Sequence, residues 1–258
     1  MNRTCRAVAV SALTAALVAC HHDSPVRAEA PDLGCRQVTS AIDGMYDNLP
    51  FPPHFSERNP GKRGGEFDAN RVLGALPHVA MRDGYTLDYV YHQDGMGGYP
   101  LLYARPADQQ PYADESEYQA APDQPEYLSF ITPQDSAQGY LEYAILAQSA
   151  NQFYLDWHAN YNDWQVVCSS DDIEDVIRSL EDGGPGRPIT DAQKQAARAI
   201  VDPEPSVVLD DTTAKVTMLV FTKWGGFYRR TLTINRSDHA IVDERDQPLV
   251  EYDCGIAF

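Results

Sequence analysis

The chain has 258 residues, 43% of them hydrophobic, and its 20 Lys and Arg against 38 Asp and Glu give a formal charge of −18. This composition supplies enough apolar side chains for a folded core, which excludes a wholly disordered chain. Because binding to a phosphate backbone depends on Lys and Arg, the charge argues against nucleic acid as the main partner. The length fits one globular domain or two small ones.

The first twenty residues have the pattern of an export signal. Arg3 and Arg6 precede the apolar run 7–19, which is too short to span a bilayer comfortably. The run ends in Leu-Val-Ala followed by Cys20, which resembles the lipobox of bacterial lipoproteins. The resemblance implies removal of residues 1–19 and attachment of a diacylglycerol to the Cys20 thiol. The alternative is an ordinary secretory peptide that happens to end in a cysteine.

Residue 21 is His rather than Asp, so the sorting rule of that family implies the outer membrane rather than the inner one. The expected protein is therefore anchored by lipid in the bacterial cell envelope, with the membrane as a partner through the anchor. Residues 20–34 lack apolar periodicity and are predicted to form a tether. Residues 35–258 are predicted to form a single globular domain.

Three cysteines remain once Cys5 leaves with the signal and Cys20 carries lipid: Cys35, Cys168 and Cys254. An odd number in an oxidising compartment allows at most one intramolecular disulfide and leaves one thiol. Cys168 and Cys254 both follow apolar patterns that predict burial, and Cys35 is placed to attach the tether to the domain. The pairing stays open.

The predicted elements of the N-terminal part are two short helices, a hairpin around Asp83-Gly84 and a strand after a glycine-rich turn. They cover 36–48, 68–76, 79–82 paired with 85–92, and 99–105. The middle predicts a long helix capped by Thr132 and ending near His158, which we expect to be the central packing element. Two further helices are predicted, at 171–180 and, behind a capping box at Thr190, to about 201.

The C-terminal part predicts strands at 215–223, 227–236 and 248–258. Strands on both sides of a helical middle predict an α+β fold, with an antiparallel sheet and hairpins packed against about three helices. Both glycine-turn hairpins could belong to one sheet.

Acidity is concentrated in the middle of the chain. Removing Arg3 and Arg6 with the signal brings the formal charge to −20, and residues 106–177 hold 14 acidic residues without a Lys or Arg. Tyrosines are frequent in the same region. We therefore expect a binding or structural module whose surface around Tyr112, Glu115, Glu117 and Tyr118 contacts a cationic protein or ligand.

The alternative function is a periplasm-facing hydrolase. The common catalytic motifs are absent from the sequence, so no catalytic residue is assigned. The candidates for a His/Asp site are His92, Asp94, His158 and Asp163, which fall in or near loops. The acidic run 171–175 could suggest calcium, but it occupies the first turns of a predicted helix, where acids favour the dipole. We expect no metal and no cofactor.

Overall fold

The computed structural model describes residues 33–161, 163–181 and 186–256. It is 31% helix and 30% strand with antiparallel sheets and hairpins, which confirms the predicted α+β class. The signal peptide, Cys20 and residues 21–32 of the expected tether lie outside the described residues. Leu33 is already buried in the core.

The described residues contain six α-helices and ten strands. The helices are α1 (Cys35–Tyr46), α2 (Asn70–Gly74), α3 (Glu115–Ala120), α4 (Ala137–Ser149), α5 (Ser170–Glu181) and α6 (Asp191–Arg198). The strands are β1 (Val79–Met81), β2 (Tyr85–Gln93), β3 (Gly97–Pro106), β4 (Ile131–Pro133), β5 (Asp156–Trp157), β6 (Gln165–Val167), β7 (Ser206–Leu209), β8 (Thr213–Thr222), β9 (Gly226–Asn235) and β10 (Ile241–Glu251).

The largest sheet runs in the order β10-β9-β8, and both β6 and β7 pair with the other edge of β8. The turn of the β8–β9 hairpin ends at Gly226, the first residue of β9, whose φ is +91°. A Cβ there would lie 2.0 Å from the carbonyl oxygen of Val250, so only glycine fits both the backbone conformation and the close approach. The sequence predicts this hairpin correctly.

The side chains of β8 alternate between two cores. Val216, Met218 and Val220 join a core that contains α4, whereas Leu219 and Phe221 join a second core with α5 and α6. A strand buried on both faces shows a continuous apolar run rather than strict alternation, as 218–221 does. The sheet therefore lies between two layers of helix.

Helix α4 is the central packing element, as predicted, because ten of its 13 residues are buried. Its predicted bounds are wrong. The cap is Ser136, whose side chain accepts a hydrogen bond from the Gly139 amide, and the helix ends at Ser149. Thr132 instead lies in β4, where pairing with β1 takes the backbone bonds that a helix would need.

The first predicted hairpin is also wrong. The turn at Asp83-Gly84 forms, with the Tyr85 amide bonded to the Arg82 carbonyl at 3.1 Å. The Arg82 amide, however, donates to the Phe130 carbonyl, and β1 pairs with β4 rather than with β2. Strand β2 pairs with β3 through the glycine-rich turn, as predicted.

The two glycine-turn hairpins belong to different sheets, contrary to the single sheet that we considered. The first lies in a three-stranded sheet of order β2-β3-β5, separate from the sheet of β6–β10. The last strand begins at Ile241 instead of 248, because its charged stretch 243–247 lies at an exposed sheet edge where polar side chains meet water. The capping box of Thr190 and Gln193 is confirmed.

Candidate functional site: an acidic cleft beside a disulfide

A cleft of about 770 Å³ opens between α1 and α5. The chain after α4 and the residues around β6 form its remaining wall. A disulfide joins Cys35 at the start of α1 to Cys168, which lies between β6 and α5, with their Cα atoms 5.7 Å apart. The two helical walls of the cleft are therefore linked covalently, and Cys254 is left as a buried thiol.

Ion pairs link the same two helices. The guanidinium of Arg36 lies 2.9 Å from an Asp172 carboxylate oxygen, 3.3 Å from Asp171 and 3.7 Å from Asp175. Asp172 also accepts a hydrogen bond from the Cys168 amide at 2.9 Å. Arg36 thus draws the acidic first turns of α5 towards α1, next to the disulfide.

The cleft as a whole is negatively charged. Its lining holds one Arg and no Lys against five carboxylates, those of Asp43, Asp47, Asp163, Asp172 and Asp175. Arg36 pairs with the two carboxylates of α5. Among the described residues, no cation pairs with Asp43 on α1 or with Asp47, which caps the C-terminus of α1 one turn later. The excess negative charge of the cleft is therefore concentrated on the α1 wall.

The surroundings of Asp43 disfavour its ionised form. Asp43 is exposed at the mouth of the cleft, yet desolvation by the surrounding atoms raises the pKa of its carboxyl to about 6, and the charges of Asp47 and Asp172 add to the effect. Burial in low dielectric and neighbouring like charge both stabilise the neutral acid. A cation bound beside Asp43 would relieve the like-charge repulsion.

The opposite wall contributes a second perturbed carboxyl. Asp163 accepts a hydrogen bond from the Lys223 ammonium at 3.0 Å through one oxygen. Its other oxygen, Oδ1, is buried without a hydrogen-bond partner of ordinary geometry among the described residues. Burial raises the pKa of Asp163, and the opposing effects of Lys223 and Gln165 do not cancel it.

The floor of the cleft is aromatic. Tyr46, Phe51, Phe153, Tyr154 and Trp164 line it. The ring of Tyr46 lies 5.7 Å from that of Phe153, and the ring of Phe51 lies 6.3 Å from that of Tyr154. The Tyr46 hydroxyl donates to the Ser149 carbonyl at 3.1 Å, which fixes this ring against the end of α4. An apolar floor under charged walls suits a ligand that has both an apolar and a charged part.

The four histidine and aspartate candidates do not form one site. Asp163 alone of them lines the cleft. His92 and Asp94 lie by the β2–β3 turn, where the nearer ring nitrogen of His92 is 3.9 Å from Asp94. The backbone amide of His158 donates to the Met96 carbonyl in that turn, and the His158 ring stacks on the Trp157 ring. The other nitrogen of His92, Nδ1, lies 2.9 Å from the Glu115 carboxylate.

The residues expected to bind a cationic partner are used largely within the chain. Tyr112 and Tyr118 pack on Tyr103, with ring centroids 5.0 and 5.2 Å away. Glu115 bonds to His92, and Glu117 accepts a hydrogen bond from the Ala113 amide next to α3. Each of the four side chains therefore has a contact within the chain, whereas Asp43 and Asp47 of the α1 cleft have no cation partner among the described residues.

The described residues contain no group of three or more His, Cys, Asp and Glu placed to hold a metal ion. Within the same residues, no helix combines the length and apolarity that a membrane crossing requires. The run 171–175 forms the first turns of α5, where Asp171, Asp172 and Asp175 face Arg36 and Glu174 bonds to Arg198.

The sequence contained a signal for the cleft that we missed. Asp43 and Asp47 are spaced i,i+4 on a predicted helix, so they share a face and repel each other. Such a pair without a neighbouring base is a reason to look for a cation.

No protein-family model, curated protein or solved structure matches the chain.

Proposed function

We propose that this is a lipid-anchored protein of the bacterial cell envelope that binds a small organic cation with an apolar part in the acidic cleft. The observation that carries the binding proposal is the pair Asp43 and Asp47, which lies above an aromatic floor without a cation partner among the described residues. A cationic group of the ligand lies against these two carboxylates, and its apolar part lies on the half-buried ring of Tyr46. The negative charge of the α1 wall attracts the cationic ligand, and contact with the aromatic floor removes water from the apolar part of the ligand.

Location in the envelope rests on two independent features. The lipobox-like sequence ends at Cys20, and the disulfide between Cys35 and Cys168 is typical of an oxidising compartment. The order of sites along the chain is consistent with this location: anchor first, then a short tether, then the folded domain.

Binding is tested by calorimetry on the full chain with a matched pair of ligands. Tryptamine has a cationic amine on an indole ring, and indole-3-propionate has an anion on the same ring. We expect saturable binding of tryptamine that weakens at high salt, and at least tenfold weaker binding of the anion. Equal affinity for the two ligands, or no heat with either, would overturn the proposal.

The site is tested by charge-matched variants. The double change Asp43→Asn with Asp47→Asn should weaken tryptamine binding at least fivefold. Asp108→Asn with Asp211→Asn removes the same two charges from exposed positions outside the cleft and should leave affinity within twofold. If both pairs weaken binding equally, net charge rather than the cleft attracts the ligand.

The anchor is tested separately, by labelling bacteria that express the chain with a palmitate analogue. The label should enter the protein, disappear in Cys20→Ala and persist in Cys5→Ala, which alters a cysteine within the signal. Label that persists in Cys20→Ala would contradict lipidation at this residue.

A further inference from the structure

The outer end of the three-stranded sheet exposes a cluster of large side chains. Trp157 is 67% exposed, Met96 49% and Tyr99 38%. They are three of the seven large hydrophobic residues that are exposed in the described part of the chain, and they include both of its exposed aromatic residues. Single exposed apolar residues are ordinary, but a cluster of this kind marks an interaction surface. We call these three residues the aromatic end.

Backbone pairing brings the three residues together. Trp157 in β5 pairs with Gly97 in β3. Gly97 directly follows Met96 and precedes Tyr99 by two residues, so all three large residues lie at this point of the sheet. The His158 amide also donates to the Met96 carbonyl at 3.3 Å. The cluster therefore belongs to the sheet and is not a chance approach of two loops.

The Trp157 indole is exposed and stacks on the ring of the next residue. Its φ of +48° lies in the left-handed region, which bulky side chains rarely adopt. The indole stacks on the His158 ring at an interplanar angle of 9°, and two thirds of the residue still faces solvent. A rigid aromatic ring with one supported side offers a preorganised platform to a flat partner.

The polar groups around the platform carry little free positive charge. Lys223 donates to the Asn160 carbonyl at 3.0 Å, and Asp163 pairs with the same ammonium. Asp94 is exposed in the β2–β3 turn, whereas both carboxylate oxygens of Asp156 accept hydrogen bonds within the chain, from the Gln93 side chain and from the Trp157 amide. The segment 92–99 contains no Lys or Arg, and neither does 106–177. A surface with this charge repels phosphate-bearing lipids and polymers. It suits a neutral partner that has hydroxyl donors and an apolar face.

We propose that the aromatic end is a second binding site, for a neutral oligosaccharide built of pyranose rings. The C–H face of one sugar ring stacks on the Trp157 indole, and Tyr99 supports the neighbouring ring. The exposed carboxylate of Asp94 accepts hydrogen bonds from sugar hydroxyls. This site is separate from the acidic cleft and does not depend on it.

The test uses native gels that contain a soluble neutral polysaccharide, either glycol chitin or hydroxyethyl cellulose. The full chain, kept in a neutral detergent, migrates rapidly because of its formal charge of −18. An uncharged polymer slows every protein by sieving, so binding is the retardation that exceeds that of a non-binding reference protein on the same gel. We expect retardation in at least one polymer, and competition by the matching soluble oligosaccharide.

Trp157→Ala should reduce the retardation at least fivefold, and Tyr99→Ala should reduce it less. Val242→Ala removes a comparably exposed apolar residue from another sheet and should leave the mobility shift unchanged. Circular dichroism shows whether each variant is folded, and Trp157→Tyr keeps a ring that should restore part of the binding. Absence of retardation in both polymers, or equal retardation of Trp157→Ala, would overturn the proposal. Trp157-dependent sedimentation with phosphatidylcholine vesicles instead of retardation would assign the surface to lipid.

Discussion

At the scale of single residues, Asp43 shows how binding and stability can oppose each other. A carboxyl whose pKa is raised by folding destabilises the folded state once it ionises. The folded chain holds this proton up to about pH 6, whereas an unfolded Asp loses it near the ordinary Asp pKa of 3.8. Stability from this group is therefore full below pH 3.8 and falls as the pH rises towards 6.

Asp43→Asn should consequently be more stable than the unaltered chain at pH 7.5 and equal to it at pH 3.5. Thermal unfolding followed by circular dichroism at both pH values measures the difference. Asp108→Asn, at an exposed loop position, is the matched control and should show no such pH dependence. An Asp43→Asn variant that is destabilised at pH 7.5 would show that the carboxylate makes a favourable contact.

The buried carboxylate of Glu142 is a contrasting residue because its bonds are complete. It accepts hydrogen bonds from the His78 amide at 2.7 Å and from the Gln138 side chain at 2.8 Å, and its other contact is the His78 ring at 2.7 Å. These bonds fix the start of β1 against α4. Removing a buried charged acceptor leaves donors without partners.

Glu142→Ala should lower the free energy of unfolding by about 3 kcal/mol, as expected when a buried hydrogen-bonded charge is deleted. Urea denaturation measures the loss. Glu126→Ala, at an exposed position before β4, should change stability by less than about 0.5 kcal/mol. A small loss in Glu142→Ala would mean that water replaces the carboxylate at little cost.

At the scale of elements, features encoded by neighbouring residues were predicted correctly, whereas the pairing of strands far apart in the sequence was not. The capping box at Thr190 and the glycine turn of β8–β9 are encoded within a few residues, and both are confirmed. The pairing of β1 with β4 joins segments about 50 residues apart, so neither strand carries a local mark of its partner. The cleft was missed for the same reason, since its acidic pair is visible in α1 but its opposite wall is not.

The start of α4 offers a direct comparison of the predicted and the observed cap. Ser136→Ala should lower the free energy of unfolding by about 1 kcal/mol, because it removes the acceptor for the Gly139 amide. Thr132→Ala, at the exposed middle position of β4, should cost less than about 0.5 kcal/mol. Chemical denaturation of both variants measures these losses. A larger loss of stability in Thr132→Ala than in Ser136→Ala would favour Thr132 as the cap.

The disulfide acts on two elements at once, since it holds α1 against the chain that leads into α5. It closes a loop across a sequence separation of 133. Replacing Cys35 and Cys168 by Ala should lower the free energy of unfolding by about 3–5 kcal/mol. It should also weaken tryptamine binding more than Cys254→Ala does. Unchanged affinity would show that packing alone sets the width of the cleft.

At the scale of the whole molecule, the acidic middle is held by bases from outside it. Arg36 pairs with α5, Arg198 with Glu174, Lys223 with Asp163, and Arg236 with Asp135 at 2.7 Å. The sequence showed the uneven charge but not these pairings. The excess charge still remains, so long-range repulsion opposes folding.

Raising NaCl from about 0.02 to 0.3 M should therefore stabilise the chain by about 1 kcal/mol, or about 2–4 °C in Tm, because salt screens repulsion over distances beyond about 10 Å. Scanning calorimetry at pH 7.5 measures this. Potassium chloride should act equally, which separates screening from specific ion effects. A fall in Tm with salt would mean that the ion pairs outweigh the repulsion.

The order of the three cysteines along the chain bears on which pair can form a disulfide first. A chain that emerges from its N-terminus exposes Cys35 first, Cys168 next and Cys254 last, with 85 residues between the latter two. If the chain is exported as proposed, Cys35 and Cys168 can therefore meet an oxidant before the third thiol is present. Cys254 would then emerge after its two competitors and could be buried as an unreacted thiol.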